Sequence, residues 1–234
     1  MIRALLFDLD NTLYHYAPCN EAALSAAHTV CARSVNVTAA DFLELHDQVR
    51  QELAKRLKGQ AASHNRILFF KLMVERLTVA SRASLALELF DCYWRVFLEE
   101  MKPAPDALDV LGILGGSYDL ALVSNHTTDI QLRKIRRLDM ERHFSVVVTS
   151  EECGAEKPAE VVFERALTAL GVEASQAVMI GDDPVSDIQG AREVGLLTVL
   201  TTEFSGESSD EAQAGAVIGS IGQLPALLAN GFQT

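Results

Sequence analysis

The chain has 234 residues, of which 49% are hydrophobic and 22% charged, with a formal net charge of −12. This profile fits a large globular domain or a domain carrying an insertion, and no apolar stretch approaches the length of a membrane span. The acidic excess disfavours nucleic acid and anionic membrane surfaces as partners, and the four scattered cysteines, Cys19, Cys31, Cys92 and Cys153, read as reduced thiols of a cytoplasmic protein.

The chain opens with an apolar strand, Ile2 to Phe7, that stops in Asp8-Leu9-Asp10-Asn11-Thr12. The two carboxylates interrupt the only apolar N-terminal run that would suit a signal peptide. Alternation along the strand sends Asp8 and Asp10 to the same side, where like charges repel unless a proton or a cation holds them. Such a pair at a strand end suits a Mg²⁺ site with nucleophilic and acid–base chemistry, or, more simply, an Asp/Asn turn.

From residue 15 to residue 100 the signals are helical. An amphipathic run starts at Asn20-Glu21, and Thr38-Ala-Ala-Asp41 resembles a capping box. Apolar residues then recur at helical spacing through Leu53, Ile67, Phe70, Leu77, Leu89 and Phe97, with breaks at Gly59 and Ser81. This segment holds ten basic and ten acidic residues, so the rest of the chain carries the whole negative charge. Arg50, Lys55, Arg56 and Lys58 cluster beside Gly59. They read as a helix end whose cations complement the carbonyl pole, or as a contact for a second anionic group of a substrate.

After Lys102-Pro103 the texture alternates. A helix opened by Pro105 precedes a strand at residues 120–123, and further strands are expected at 145–148, 177–180, 197–200 and 216–218. Short, β-branched apolar runs separated by helices indicate a parallel sheet covered on both faces, with ligands beyond the carboxyl ends of its strands. The predicted fold is α/β: a doubly wound, Rossmann-like core of residues 1–14 and 101–234, with residues 15–100 inserted as helices after the first strand.

Polar groups follow several of these strands. Ser124 and Asn125 suit phosphate binding at a strand-to-helix turn, or simple capping. Lys157-Pro158 places a cation where it opposes the macrodipole of the following helix, which is better explained by a facing anion. Gly181-Asp182-Asp183-Pro184-Val185-Ser186-Asp187 sets three carboxylates in six residues, with Asp183 the expected exposed cap.

In their order along the chain, Asp8-Leu-Asp-Asn-Thr-Leu13, Val123-Ser124-Asn125, Lys157-Pro158 and the run from Gly181 to Ala191 resemble the four motifs of the haloacid dehalogenase superfamily. The stretch from Ser150 to Gly195 resembles the subgroup with a helical cap after the first motif. The resemblance implies a Mg²⁺-dependent phosphatase acting on a small phosphorylated metabolite, of the sugar phosphate or nucleoside monophosphate type, as a monomer or homodimer. It makes Asp8 the nucleophile and Asp10 the general acid–base, positioned by Thr12. It also assigns Ser124, Asn125 and Lys157 to the phosphoryl group, and Asp8, the Asp10 carbonyl and Asp182 to Mg²⁺, with Asp187 behind them. His15 and His126 read as partly exposed histidines near the motifs. A 2-haloacid dehalogenase and a phosphomutase are the nearest alternatives within the superfamily. A receiver-like signalling module or a non-catalytic scaffold are alternatives from other classes.

Overall fold

The computed structural model describes residues 1–205 and 214–231. These divide into two compact units, residues 1–15 with 102–234 and residues 16–101.

The first unit is built on six parallel strands: β1 (Ala4–Phe7), β2 (Asp119–Ser124), β3 (Val146–Thr149), β4 (Ala177–Gly181), β5 (Leu197–Thr201) and β6 (Ala216–Ile218). Their order is β3-β2-β1-β4-β5-β6, so the chain builds one half outward from β1 and then returns to build the other. The reversal falls at β1, where an open α/β sheet leaves a crevice beyond its carboxyl ends. All four residues of β1 are buried, as its unbroken apolar run requires of a strand covered on both faces. Leu6, Val123 and Met179 pack with Val162, Phe163 and Ala166 of α8 (Glu160–Leu170). In register, Phe7 lies between Leu122 and Ile180, so Asp8 emerges where β2 and β4 are also ending.

Helices α5 (Ala107–Leu114), α6 (Thr128–Arg137), α7 (Ser150–Cys153), α8, α9 (Gly190–Val194) and α10 (Leu224–Asn230) belong to the same unit. Two prolines stand farther from their helices than expected. Pro105 precedes the Asp106 cap of α5, and Pro158 belongs to the turn before α8, after a cis Lys157–Pro158 peptide.

The second unit is helical throughout: α1 (Tyr16–Cys31), α2 (Ala39–Arg56), α3 (Arg66–Thr78) and α4 (Ala83–Glu100), with a short 3₁₀ turn at Ala61–His64. Thr38 caps α2 by accepting from the Asp41 N–H at 3.1 Å. Helix α1 starts four residues before the expected Asn20. Pro18 is tolerated because the first N–H groups of a helix have no partner within it. The cations Lys55 and Arg56 fall in the last turn of α2. Arg50 pairs with Asp47 and Arg56 with Glu52 on their own helix.

Candidate active site

The carboxyl ends of β1, β2 and β4 bring the predicted polar groups together. Lys157 is buried, and its Nζ donates to Asp8 Oδ1 at 2.7 Å, Asp187 Oδ1 at 2.6 Å and the Val123 carbonyl at 2.7 Å. Its backbone is fixed by Asn125, whose Oδ1 accepts from the Lys157 N–H at 2.7 Å while Nδ2 donates to the Lys157 carbonyl at 3.0 Å. The Asn125 side chain therefore serves the lysine segment, and only its main chain remains for a phosphoryl oxygen.

Carboxylate oxygens of Asp8, Asp182 and Asp187 lie within 4.8 Å of one another. Asp187 reaches this place because residue 181 is glycine: a Cβ there would stand 2.2 Å from Asp187 Oδ2. That same Oδ2 accepts from the Asp183 N–H at 3.1 Å. Asp183 itself is an exposed cap, its Oδ1 accepting from the N–H groups of Val185 and Ser186, as expected.

The electrostatics of the cluster call for more positive charge than Lys157 supplies. Burial pushes the Asp8 carboxyl up to about 7; Lys157 opposes the rise, and Asp187 and Asp10 add to it. Burial, then Asp8, Asp187 and Asp183, pushes Asp182 up to about 8. Burial alone would depress Lys157, yet Asp187 and Asp8 hold it well above the ordinary lysine value. A hard divalent cation is the natural complement. Octahedral Mg²⁺, with oxygens about 2.0–2.1 Å from the metal, sets those oxygens about 3–4 Å apart, which this group can match.

Asp10 is held by residues the sequence did not single out. Lys134 Nζ donates to its two oxygens at 2.7 and 2.8 Å, and Tyr14 Oη donates to Oδ1 at 2.5 Å. Thr12, expected to position Asp10, does not: its Oγ1 is buried and makes no hydrogen bond among the described residues. The nearby Ser124 Oγ accepts from Gln131 Nε2 at 2.5 Å. Lys134 and Gln131 did leave a trace in the sequence, since both fall among the apolar positions of α6, between Ile130, Ile135 and Leu138. Hydropathy would instead have turned Leu132 inward, and Leu132 is exposed.

The two histidines diverge. His15 is exposed and stacks on Phe204 at 4.8 Å. His126, read as partly exposed, is buried, and its Nδ1 accepts from the Thr127 N–H at 2.8 Å.

Residues 2–195 match the haloacid dehalogenase-like hydrolase family. A ribulose-1,5-bisphosphate 5-phosphatase of Halopiger xanaduensis is 42% identical, covering 97% of this chain and all of that protein. A glyceraldehyde 3-phosphate phosphatase of Methanopyrus kandleri is 31% identical over 85% of this chain and 83% of its own length. Among solved structures, a 2-haloacid dehalogenase of Pseudomonas syringae superposes with a TM-score of 0.81 at 27% identity, over 98% of this chain and 99% of that one.

Proposed function

The chain belongs to the haloacid dehalogenase-like hydrolases, and we propose that within this family it is a Mg²⁺-dependent phosphatase of small sugar phosphates. The observation that carries the reading is the grouping of Asp8, Asp182 and Asp187 around one buried lysine, with Asp10 alongside. Dehalogenation by an aspartate requires neither a cation nor a second aspartate, so these groups favour phosphoryl transfer over the activity named for the structural neighbour. Similarity along nearly the whole chain to a phosphatase of a phosphorylated pentulose favours a sugar phosphate over a nucleotide.

In this reading the Asp8 and Asp182 carboxylates and the Asp10 carbonyl would hold Mg²⁺, with Asp187 tied back to Lys157. The bound cation would supply positive charge to offset that of Asp8 and the phosphoryl dianion. Asp8 attacks phosphorus to form an aspartyl-phosphate, while Asp10 protonates the departing ester oxygen. Asp10 then takes a proton from the water that hydrolyses the intermediate. Ser124 Oγ and the Asn125 N–H bind the transferring oxygens, and Lys157 offsets charge on Asp8 and on the phosphoryl group. The inserted helices act as the cap that selects the substrate.

The test is phosphate release from a panel of phosphorylated metabolites with and without Mg²⁺, together with Asp8→Asn and Asp182→Ala. Asp8→Asn should lose at least about 10⁴-fold in kcat while staying folded, as other covalent catalysts do on losing their nucleophile. Asp182→Ala should weaken Mg²⁺ binding in calorimetry. An active Asp8→Asn enzyme, or activity indifferent to Mg²⁺ and to chelator, would overturn the reading.

A further inference from the structure

Helix α6 turns two polar side chains into the interior one turn apart, and both are fully buried. Gln131 reaches Ser124, and Lys134 reaches Asp10, 124 residues away in sequence. Leu or Met at either position would be cheaper to bury. Burying an ammonium group costs several kcal/mol before its partners respond, on the order of what a buried ion pair then returns. Gln131 Oε1 is buried without a hydrogen-bond partner among the described residues, a further cost of about 1–3 kcal/mol. A helix face that accepts both costs has a task beyond packing.

We propose that Gln131 and Lys134 are positioning residues, through which α6 aims the phosphate-binding hydroxyl and the acid–base carboxylate together. The inference rests on the phosphatase reading above. Gln131 donates to Ser124 Oγ, so the hydroxyl accepts there and keeps its own proton for a phosphoryl oxygen. Lys134 and Tyr14 together fix the direction of the Asp10 carboxylate. In the first chemical step a bond forms between Asp8 Oδ and phosphorus as the phosphorus–ester oxygen bond breaks. The electron pair of the broken bond goes to the ester oxygen, and the proton of the Asp10 carboxyl follows it, giving an alcohol and leaving Asp10 as carboxylate. Lys134 and Tyr14 hold the Asp10 carboxyl in one orientation, so that it meets the departing ester oxygen in the geometry proton transfer needs.

The experiment compares two leaving groups by kcat/KM, which covers the steps up to aspartyl-phosphate formation and excludes its hydrolysis. An alkyl phosphate needs a proton from Asp10, whereas p-nitrophenyl phosphate departs as a stable anion. Lys134→Met should lower kcat/KM about 10²-fold or more on the best sugar phosphate and less than about tenfold on p-nitrophenyl phosphate. Tyr14→Phe should show the same selectivity more weakly; because it removes only a hydroxyl, it carries the test if Lys134→Met fails to fold. Gln131→Met should lower both substrates equally, since both present the same phosphoryl group. Gln131→Glu should be worse than Gln131→Met, because its carboxylate takes the Ser124 proton for itself. Equal losses on the two substrates for Lys134→Met and Tyr14→Phe, or any gain, would overturn the Asp10 half of the proposal. Equal activity of Gln131→Met and Gln131→Glu would overturn the Ser124 half. Neither result touches the phosphatase reading, which stands or falls with Asp8→Asn and Mg²⁺.

Discussion

Both units bury cations, and Lys157 of the first and Arg66 of the second are held differently. Lys157, among the strand ends, is met by two carboxylates and a carbonyl. Among the described residues Arg66, at the start of α3, has neutral partners only: Tyr16 Oη at 2.6 Å, Tyr93 Oη at 3.4 Å and the His64 carbonyl at 2.9 Å, with the Phe69 ring 4.7 Å away. Among the described residues Arg66 forms no salt bridge. A lysine held by carboxylates is part of an electrostatic device whose charges depend on one another. An arginine held by phenols is a hydrogen-bonding centre for a helical core, where Tyr93 also donates to Asn20 at 2.7 Å.

The sharpest way to break this comparison is to remove each cation. Lys157→Met leaves Asp8 and Asp187 buried without their partner, and should cost about 3–5 kcal/mol of stability besides the loss of turnover. Arg66→Met leaves groups that can still bond to one another through Asn20, and should cost at most about 2 kcal/mol. Urea unfolding of both variants measures the difference. Equal losses would mean that the phenol cage is as demanding as the carboxylate one.

A smaller effect follows from pH. Asp8 and Asp182 hold their protons in the folded chain up to about 7 and about 8, against an ordinary carboxylate value of 3.8. Above about pH 4 the unfolded chain releases protons that the folded one keeps. The stability these groups lend is therefore fully present below that pH, falls as pH rises, and levels off only above about pH 8. Lys157, raised above a value already higher than this window, does not alter the sign. Mg²⁺ held as proposed would compete with the same protons, so its stabilising effect should be small at pH 5 and large at pH 8. Thermal melting with and without Mg²⁺ at the two pH values decides the matter. An equal shift at both would show that the cation is not held by these carboxylates.

The two units also differ in how much of them the sequence displayed. The strands were legible because a sheet covered on both faces demands unbroken apolar runs, and Asp8, Asp182 and Asp187 stood out as charges at the ends of such runs. The contact of Lys157 with an anion was legible because its position opposes a helix pole. Lys134, Gln131 and Tyr14 were not, because their roles depend on where tertiary folding carries a side chain. A lysine among the apolar positions of a basic helix looks like a solvated one until its partner 124 residues away is known. Thr12 failed for the related reason that adjacency in a motif does not fix a hydrogen bond. In the helical unit, periodicity revealed the helices but gave no hint of the Arg66 centre, whose partners come from α1, α4 and the turn before α3.

The smallest expected effect concerns the basic cluster at the end of α2. Arg50 is bonded to Asp47 at 2.6 Å, and Glu52 accepts from both Arg56 and Arg76, all on exposed side chains. Pairs of this kind contribute little to stability, because water screens the attraction and two long side chains lose freedom in making it. Lys55 and Arg56 already have a sufficient role at the carbonyl pole of the helix. Single substitutions Arg50→Gln, Lys55→Gln, Arg56→Gln and Lys58→Gln should therefore leave melting temperature unchanged. They should also leave kcat/KM unchanged on both p-nitrophenyl phosphate and the best sugar phosphate. The comparison between substrates gives the test its force, since a cation that meets a second anionic group on the sugar would show itself as a loss on that substrate alone. Such a selective loss at any of the four positions would move the cluster from ordinary surface charge to substrate selection.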